Sequence, residues 1–161
     1  MLHVLILCHG NICRSPLAEV LLEAAVAADP ELAGRVRISS AGTSDEHEGE
    51  GMHANSAALL AQRGLRTRHR ARRLTPALAA RQDLILAADQ QNLRDGRVIA
   101  AGTVERPTVR LLRDFDPRAV GEDLDDPWSD PIEAYEQAAT DIASAIPGIL
   151  SELRLRAHSR A

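Results

Sequence analysis

Leu2-His3-Val4-Leu5-Ile6-Leu7 runs directly into Cys8-His9-Gly10-Asn11-Ile12-Cys13-Arg14-Ser15-Pro16, and Leu17-Ala18-Glu19-Val20-Leu21-Leu22-Glu23-Ala24-Ala25 follows. The first segment is an apolar run of strand length, interrupted only by His3, and the last has the composition and length of a helix. The middle segment is therefore a strand-to-helix turn. The first backbone N–H groups of a helix have no intrahelical partners, and together with the helix dipole they form an anion site. Gly10 and Asn11 tolerate the backbone angles needed to wrap such a loop. Ser15 fits the N-cap and Pro16 the first helical position.

Cys8 stands at the strand end, beneath the same N–H donors, where the field favours the thiolate, the nucleophilic form of the side chain. Arg14, six residues on, can return to the ring as a planar fork that holds two oxygens of a tetrahedral oxyanion. Nucleophile and phosphate cradle are then one object. The implied chemistry is attack of sulfur on a phosphate ester, followed by hydrolysis of a cysteinyl-phosphate.

The chain has 161 residues, enough for one domain with a real core. We assign residues 1–155 to that domain and 156–161 to a frayed tail. Apolar content is 45% and charged content 26%, ordinary for a globular chain. Aromatics make up only 2%, so the core is aliphatic and any aromatic near a site carries information. Every basic side chain is Arg, and the net charge of −4 argues against bulk attraction to nucleic acid. The N-terminus enters a strand without a basic region and apolar stretch, and no segment approaches the ~18 apolar residues that span a membrane. Two cysteines make neither a disulfide framework nor a typical zinc site. The expectation is a cytoplasmic protein with no metal and no cofactor.

Further along, Val36 to Ser40, Asp83 to Ala88 and Thr108 to Leu112 read as strands. Helices are expected over Ala54 to Arg63, from Thr75-Pro76 to about Arg81, over Asp89 to Asp95 closed by Gly96, and from Ile132 to Leu155 with a break near Pro147-Gly148. Thr67 to Arg73 is strongly basic, and Asp114 to Asp130 is a long acidic loop. Alternating strands and helices imply an α/β fold, a parallel sheet with helices on both faces and the ligand beyond the carboxyl ends of the strands. Departure of an alkoxide or phenolate needs a proton donor. The acidic loop offers Asp123, Asp125, Asp126 and Asp130, and spacing does not choose among them.

The string from Cys8 to Pro16, set between strand and helix, strongly resembles the signature loop of the low-molecular-weight protein tyrosine phosphatase family, bacterial type. That resemblance implies a three-layer fold with a four-stranded parallel sheet ordered 2-1-3-4. It assigns the nucleophile to Cys8, the phosphate clamp to Arg14, and the loop to His9, Gly10, Asn11, Ile12, Cys13 and Ser15. Asp126-Pro127-Trp128 looks like the family's Asp-Pro-aromatic element, which makes Asp126 the general acid and base. Asp125 is a neighbouring carboxylate that can couple to it. Trp128, the only Trp, is then a cleft wall suited to a phenyl ring. Ser40 and His69 match the family's loop-supporting network, and Asp89 matches a recurrent aspartate whose task the sequence leaves open. Cys13 is placed to capture an oxidised Cys8 as a disulfide.

The resemblance departs from the family at the opposite cleft wall, where an aromatic or bulky apolar residue is common and Glu46 stands here, followed by His47. Glu46, with Glu48 and Glu50 near it, disfavours acidic substrate flanks. His53-Ala54-Asn55 replaces a usual Asp-Pro-Arg, and Ser129 a second aromatic or glycine. The implied substrate is a phosphotyrosine-containing protein, such as a bacterial tyrosine kinase or its targets. Arginine phosphatases of the family tend to carry Thr where this chain has Ile12. A small aryl or sugar phosphate, phosphoarginine, and a non-catalytic phosphate-binding module remain the alternatives, and the sequence sets no oligomeric state.

Overall fold

The computed structural model describes residues 1–160. Strand β1 (Leu2–Cys8) is followed by α1 (Arg14–Ala28), β2 (Val36–Gly42), α2 (Ala54–Gln62), α3 (Pro76–Ala79), β3 (Leu84–Ala87), α4 (Gln90–Ala101), β4 (Thr108–Leu111), a 3-10 turn at Leu112–Phe115 and α5 (Ile132–Ser159). The four strands form one parallel sheet in the order β2-β1-β3-β4. Successive β1 residues point to opposite faces. Val4 and Ile6 join the core that includes α1 and α5, while Leu5 and Leu7 join the core that includes residues of α3 and α4. This two-sided burial is why β1 is apolar at almost every position rather than at alternate ones.

Central β1 ends at Cys8, and the chain then wraps back into α1. Reversing between its two neighbours, β2 and β3, places the Cys8 turn at the crevice beyond the strand ends, where the loops of all the elements converge.

Several helix ends differ from the sequence reading. α4 does not stop at Gly96 but continues to Ala101. A Cβ at Gly96 would lie 2.8 Å from Leu7 Cδ2, so glycine is there to let the helix settle on the sheet. α5 does not break at Pro147-Gly148. A Cβ at Gly148 would lie 2.1 Å from the Phe115 carbonyl oxygen, so this glycine too is a packing requirement. The tail assigned to residues 156–161 is instead helical through Ser159, with Arg156 donating to the Asp83 carbonyl at 3.2 Å; Ala161 lies outside the described residues. α1 starts at Arg14, two residues earlier than expected, with Cys13 at the N-cap and no side-chain cap. Ser15 is therefore not a cap. No helix among the described residues is long and apolar enough to cross a membrane.

Candidate active site

The turn from Cys8 to Ser15 closes around Asn11, which takes a left-handed conformation with φ of 58°. Such a backbone needs its polar groups tied down. Asn11 Nδ2 donates to Ser15 Oγ at 2.8 Å and to Ser40 Oγ at 2.9 Å, and its Oδ1 accepts the Arg72 N–H at 3.0 Å. Its carbonyl lies 2.6 Å from His69 Nε2. Its own N–H points at Cys8 Sγ from 3.3 Å. Ser40 in turn donates to Glu19.

Ser15, freed from capping, lies 2.9 Å from Cys8 Sγ. Because its oxygen already accepts from Asn11, its own proton is available to the sulfur. The backbone N–H groups of Ile12, Cys13, Arg14 and Ser15 find no acceptor among the described residues. They are the orphan donors of a helix start, next in the chain to the Asn11 N–H that faces the thiol.

Arg14 is 97% withdrawn from solvent, with side-chain exposure of 3%. Its Nη1 donates to Asp89 Oδ2 and to the Leu124 carbonyl, both at 2.8 Å, and its Nη2 lies 3.6 Å from Asp126 Oδ2. Burial opposes its charge, but the neighbouring Cys8, Asp89 and Asp126 outweigh burial and hold its pKa above the ordinary value. Asp126 is half exposed and accepts the Trp128 N–H at 3.3 Å. Asp125 is exposed and does not line the cleft.

The cleft itself has a volume of about 250 Å³, with Cys8 and Arg14 in its lining, Asp126 and Trp128 on one side, and Glu46 and His47 on the other. His9, Gly10, Ile12 and Cys13 complete it. Trp128 is 56% exposed, free on one face to meet a ligand. Ser40 and His69 are brought to the far side of the loop and touch it through Asn11.

Three residues at the site escaped the sequence. His47 lines the cleft beside Glu46 and pairs through Nδ1 with Glu50 at 2.9 Å; a single histidine in an acidic loop gives no signal of this. Tyr135, wholly buried on α5, has its hydroxyl 3.4 Å from Cys13 Sγ and 3.4 Å from the Trp128 carbonyl. His53 stacks on the Tyr135 ring at 5.0 Å and also caps α2, its Nδ1 accepting the Asn55 N–H. Both thiols are free; burial first, then the nearby charges of Cys8 and Asp126, push Cys13 up to about 11, with the Tyr135 hydrogen bond partly offsetting them.

A family model described as low molecular weight phosphotyrosine protein phosphatase matches residues 3–159 of the chain. A protein of Streptomyces coelicolor named low molecular weight protein-tyrosine-phosphatase is 38% identical over 160 residues, covering 98% of this chain and 97% of its own length. Low molecular weight protein-tyrosine phosphatase A of Mycobacterium tuberculosis is 39% identical over 151 residues, covering 92% and 89%. Among solved structures, that of a Drosophila arginine phosphatase matches with a TM-score of 0.85 at 28% identity, covering 93% of this chain and 96% of the other. The low molecular weight protein tyrosine phosphatase from T. tengcongensis matches at 0.81 with 26% identity, covering 94% and 99%.

Proposed function

The chain belongs to the low molecular weight phosphotyrosine protein phosphatase family, a family of phosphoric monoester hydrolases, and from that premise we propose that it hydrolyses phosphotyrosine in proteins through a cysteinyl-phosphate. The observation that carries the reading is the meeting of Cys8, Arg14 and Asp126 around one small cleft.

The phosphate of the substrate is held by the free N–H groups of the loop and by Arg14, which stays charged although buried. Cys8 Sγ attacks phosphorus as the bond from phosphorus to the tyrosine oxygen breaks. Asp126 gives its proton to that oxygen, and tyrosine leaves as the neutral phenol. The carboxylate then takes a proton from water, whose oxygen attacks phosphorus. The S–P bond breaks, inorganic phosphate departs, and Asp126 is again an acid. Ser15 and the Asn11 N–H receive the returning charge on sulfur. Every role in these steps is filled by a side chain or a backbone N–H.

Ile12, buried in the cleft lining, and Trp128 beside Asp126 favour a phenyl ring in the cleft over a guanidinium. The deciding experiment compares kcat/KM on matched phosphotyrosine, phosphoserine and phosphoarginine peptides, with the Cys8→Ser protein as blank. Selective, Cys8-dependent hydrolysis of the phosphotyrosine peptide supports the reading. Preference for phosphoarginine, or cleavage of a simple aryl phosphate but of no peptide, moves the substrate and leaves the chemistry. Turnover that survives Cys8→Ser overturns the chemistry.

A further inference from the structure

The basic run from Thr67 to Arg73 has no part in the steps above beyond the hold of His69 and Arg72 on the loop. In the fold, Arg66, Arg68, Arg70 and Arg72 line a second, larger cleft of about 930 Å³ on the far side of the phosphate loop, with Ser40 and His69 in the same lining. Four guanidinium charges face two carboxylates there, Glu19 and Glu48. Arg66 is committed to Glu19 and Glu23. The guanidinium groups of Arg68 and Arg70 have no hydrogen-bond or ion-pair partner among the described residues, and Arg70 lies across Gly49, 3.8 Å from where a Cβ would stand. Arg72 spends only Nε, on the Ser40 carbonyl at 3.0 Å.

We propose that this cleft binds a compact, multiply charged phosphate compound that carries no base or other aromatic group, a linear oligophosphate being the simplest, and that its occupancy is felt at Cys8.

The class of ligand follows from which donors remain. Some backbone groups along the cleft are paired with one another, Gly49 N–H with the Ala71 carbonyl, Ala71 N–H with Glu50, and the Arg72 carbonyl with Gly42 N–H, while the N–H groups of residues 66–70 have no acceptor among the described residues. Ala71 is the largest apolar side chain in the lining, and the one aromatic ring, His69, is turned to the Asn11 carbonyl with 5% of its side chain exposed, so neither a hydrophobic anchor nor a nucleobase is served. What is left is backbone N–H donors and guanidinium forks, and the planar donor pairs of the forks match phosphate oxygens. The cleft is over three times the volume of the catalytic one, too large for a single phosphate and suited to several linked ones.

The coupling, which rests on the phosphatase reading, runs through Asn11. Arg72 donates its backbone N–H to Asn11 Oδ1, His69 holds the Asn11 carbonyl, and Ser40 bridges Asn11 Nδ2 to Glu19, the partner of Arg66. The Asn11 N–H faces the Cys8 sulfur. An anion that draws Arg66 or Arg72 toward itself redistributes the bonds on Ser40 and Asn11, one residue from the nucleophile's shell.

The test uses the full chain and inorganic tripolyphosphate, followed by amide chemical shifts and by steady-state kinetics on an aryl phosphate. Binding is expected to shift the amides of residues 66–72 along one isotherm and to change kcat at saturating substrate about fivefold, the lower range of inter-site coupling. The Arg68→Glu/Arg70→Glu protein should bind at least about tenfold more weakly in that isotherm. Because both side chains are exposed and make no contact that holds the fold, the same spectrum reports whether the variant is folded. Arg68→Gln/Arg70→Gln supplies the milder comparison, each protein being compared with itself with and without tripolyphosphate. Shifts confined to residues 9–15, with purely competitive inhibition that the variants do not alter, overturn the proposal. So does tighter binding of an oligoglutamate peptide or of adenosine triphosphate, each of which names a different ligand class. If the aryl phosphate is not turned over at all, the phosphatase reading fails while the binding isotherm still decides the cleft.

Discussion

Asp89 holds Arg14 and starts a helix with the same carboxylate: Oδ2 accepts Arg14 Nη1 at 2.8 Å, while Oδ1 accepts the Asn92 N–H at 2.8 Å as the N-cap of α4. Arg14, the proposed phosphate clamp, is thereby fixed to a rigid element 75 residues away in the chain. Asp89→Asn keeps a good N-cap but removes the charge facing the buried guanidinium. Inorganic phosphate should then inhibit about tenfold less well, with Tm nearly unchanged. Asp89→Ala should show the same loss of affinity and in addition cost about 1 kcal/mol of stability from the missing cap. An unaltered inhibition constant in both would remove Asp89 from the clamp.

Tyr135 ties the loop that carries Asp126 to the turn from Cys8 to Ser15, its hydroxyl lying 3.4 Å both from Cys13 Sγ and from the Trp128 carbonyl, two residues beyond Asp126. Burial and the contact with Cys13 push its pKa far above the ordinary range, so it remains a phenol. Tyr135→Phe keeps the ring on His53 and removes only the hydroxyl. Stability should fall by about 1 kcal/mol, the worth of a typical buried hydrogen bond. The sharper readout is a leaving-group series: kcat should drop several-fold, about three to ten, on phenyl phosphate and much less on an activated nitrophenyl ester, because only poor leaving groups need a well-placed acid. An equal drop on both esters would mean that Tyr135 serves the fold alone. Cys13, held near 11, is almost entirely thiol at neutral pH, so its capture of an oxidised Cys8 should accelerate steeply as pH rises toward that value, measurable as disulfide formation after a peroxide pulse.

The two central strands were legible because burial on both faces leaves a signature, the near-continuous apolar runs of β1 and β3, that no polar strand imitates. The order of the strands came from family resemblance, since periodicity carries no information about neighbours. Cys8 and Arg14 stand in one contiguous motif, whereas Asp126 was singled out among the carboxylates of the acidic loop only by family resemblance. Tyr135, His53 and His47 were not legible, because each reaches the site through tertiary contact from a segment with no motif of its own. Asp89 could be matched but not given a task, for the same reason. Ser15 misled differently: it looks like a cap, and in the loop its hydroxyl is spent on sulfur instead. Gly96 and Pro147-Gly148 read as helix breakers because local propensity cannot register the Leu7 side chain and the Phe115 carbonyl that require small residues there.

His69 gives the loop a pH dependence. Burial holds its pKa below the ordinary 6.5, outweighing the hydrogen bond to Asn11 and the attraction of Glu19, which act the other way. Between that lowered value and 6.5 the folded protein binds fewer protons than the unfolded chain. The stability contributed by neutral His69 is therefore complete above 6.5 and is lost as pH falls through the window below it. Thermal unfolding at pH 7.5 and pH 5.5 should show a fall in Tm that is smaller in His69→Gln than in the parent. A parent and variant that lose the same Tm would assign the acid sensitivity to other groups. Direct titration of the His69 ring by NMR should give a midpoint under 6.5.

Gly148 tests how closely the last helix must approach the 3-10 turn that follows β4. In an exposed helix, Gly→Ala gains up to about 1 kcal/mol from helix propensity. Here the added methyl would stand 2.1 Å from the Phe115 carbonyl oxygen and 3.0 Å from its carbon, and these are backbone atoms of the 3-10 turn that cannot rotate away. α5 must then lift from that turn, at a cost of about 1–3 kcal/mol or more, which exceeds the propensity gain. Gly148→Ala should therefore lower Tm by about 3–8 °C for a chain of this size. Gly51→Ala is the control, since its Cβ would find nothing nearer than the His69 carbonyl at 4.0 Å, and it should stay within about 0.5 kcal/mol of the parent. The turn at Phe115 also begins the segment that carries Asp123 to Gln90 and Asp126 to the cleft, so the same displacement should reach catalysis. At a temperature where Gly148→Ala is still fully folded, its kcat on phenyl phosphate should fall more than its kcat on an activated ester; a variant that loses Tm with both rates intact would show that α5 supports the fold without positioning the acid.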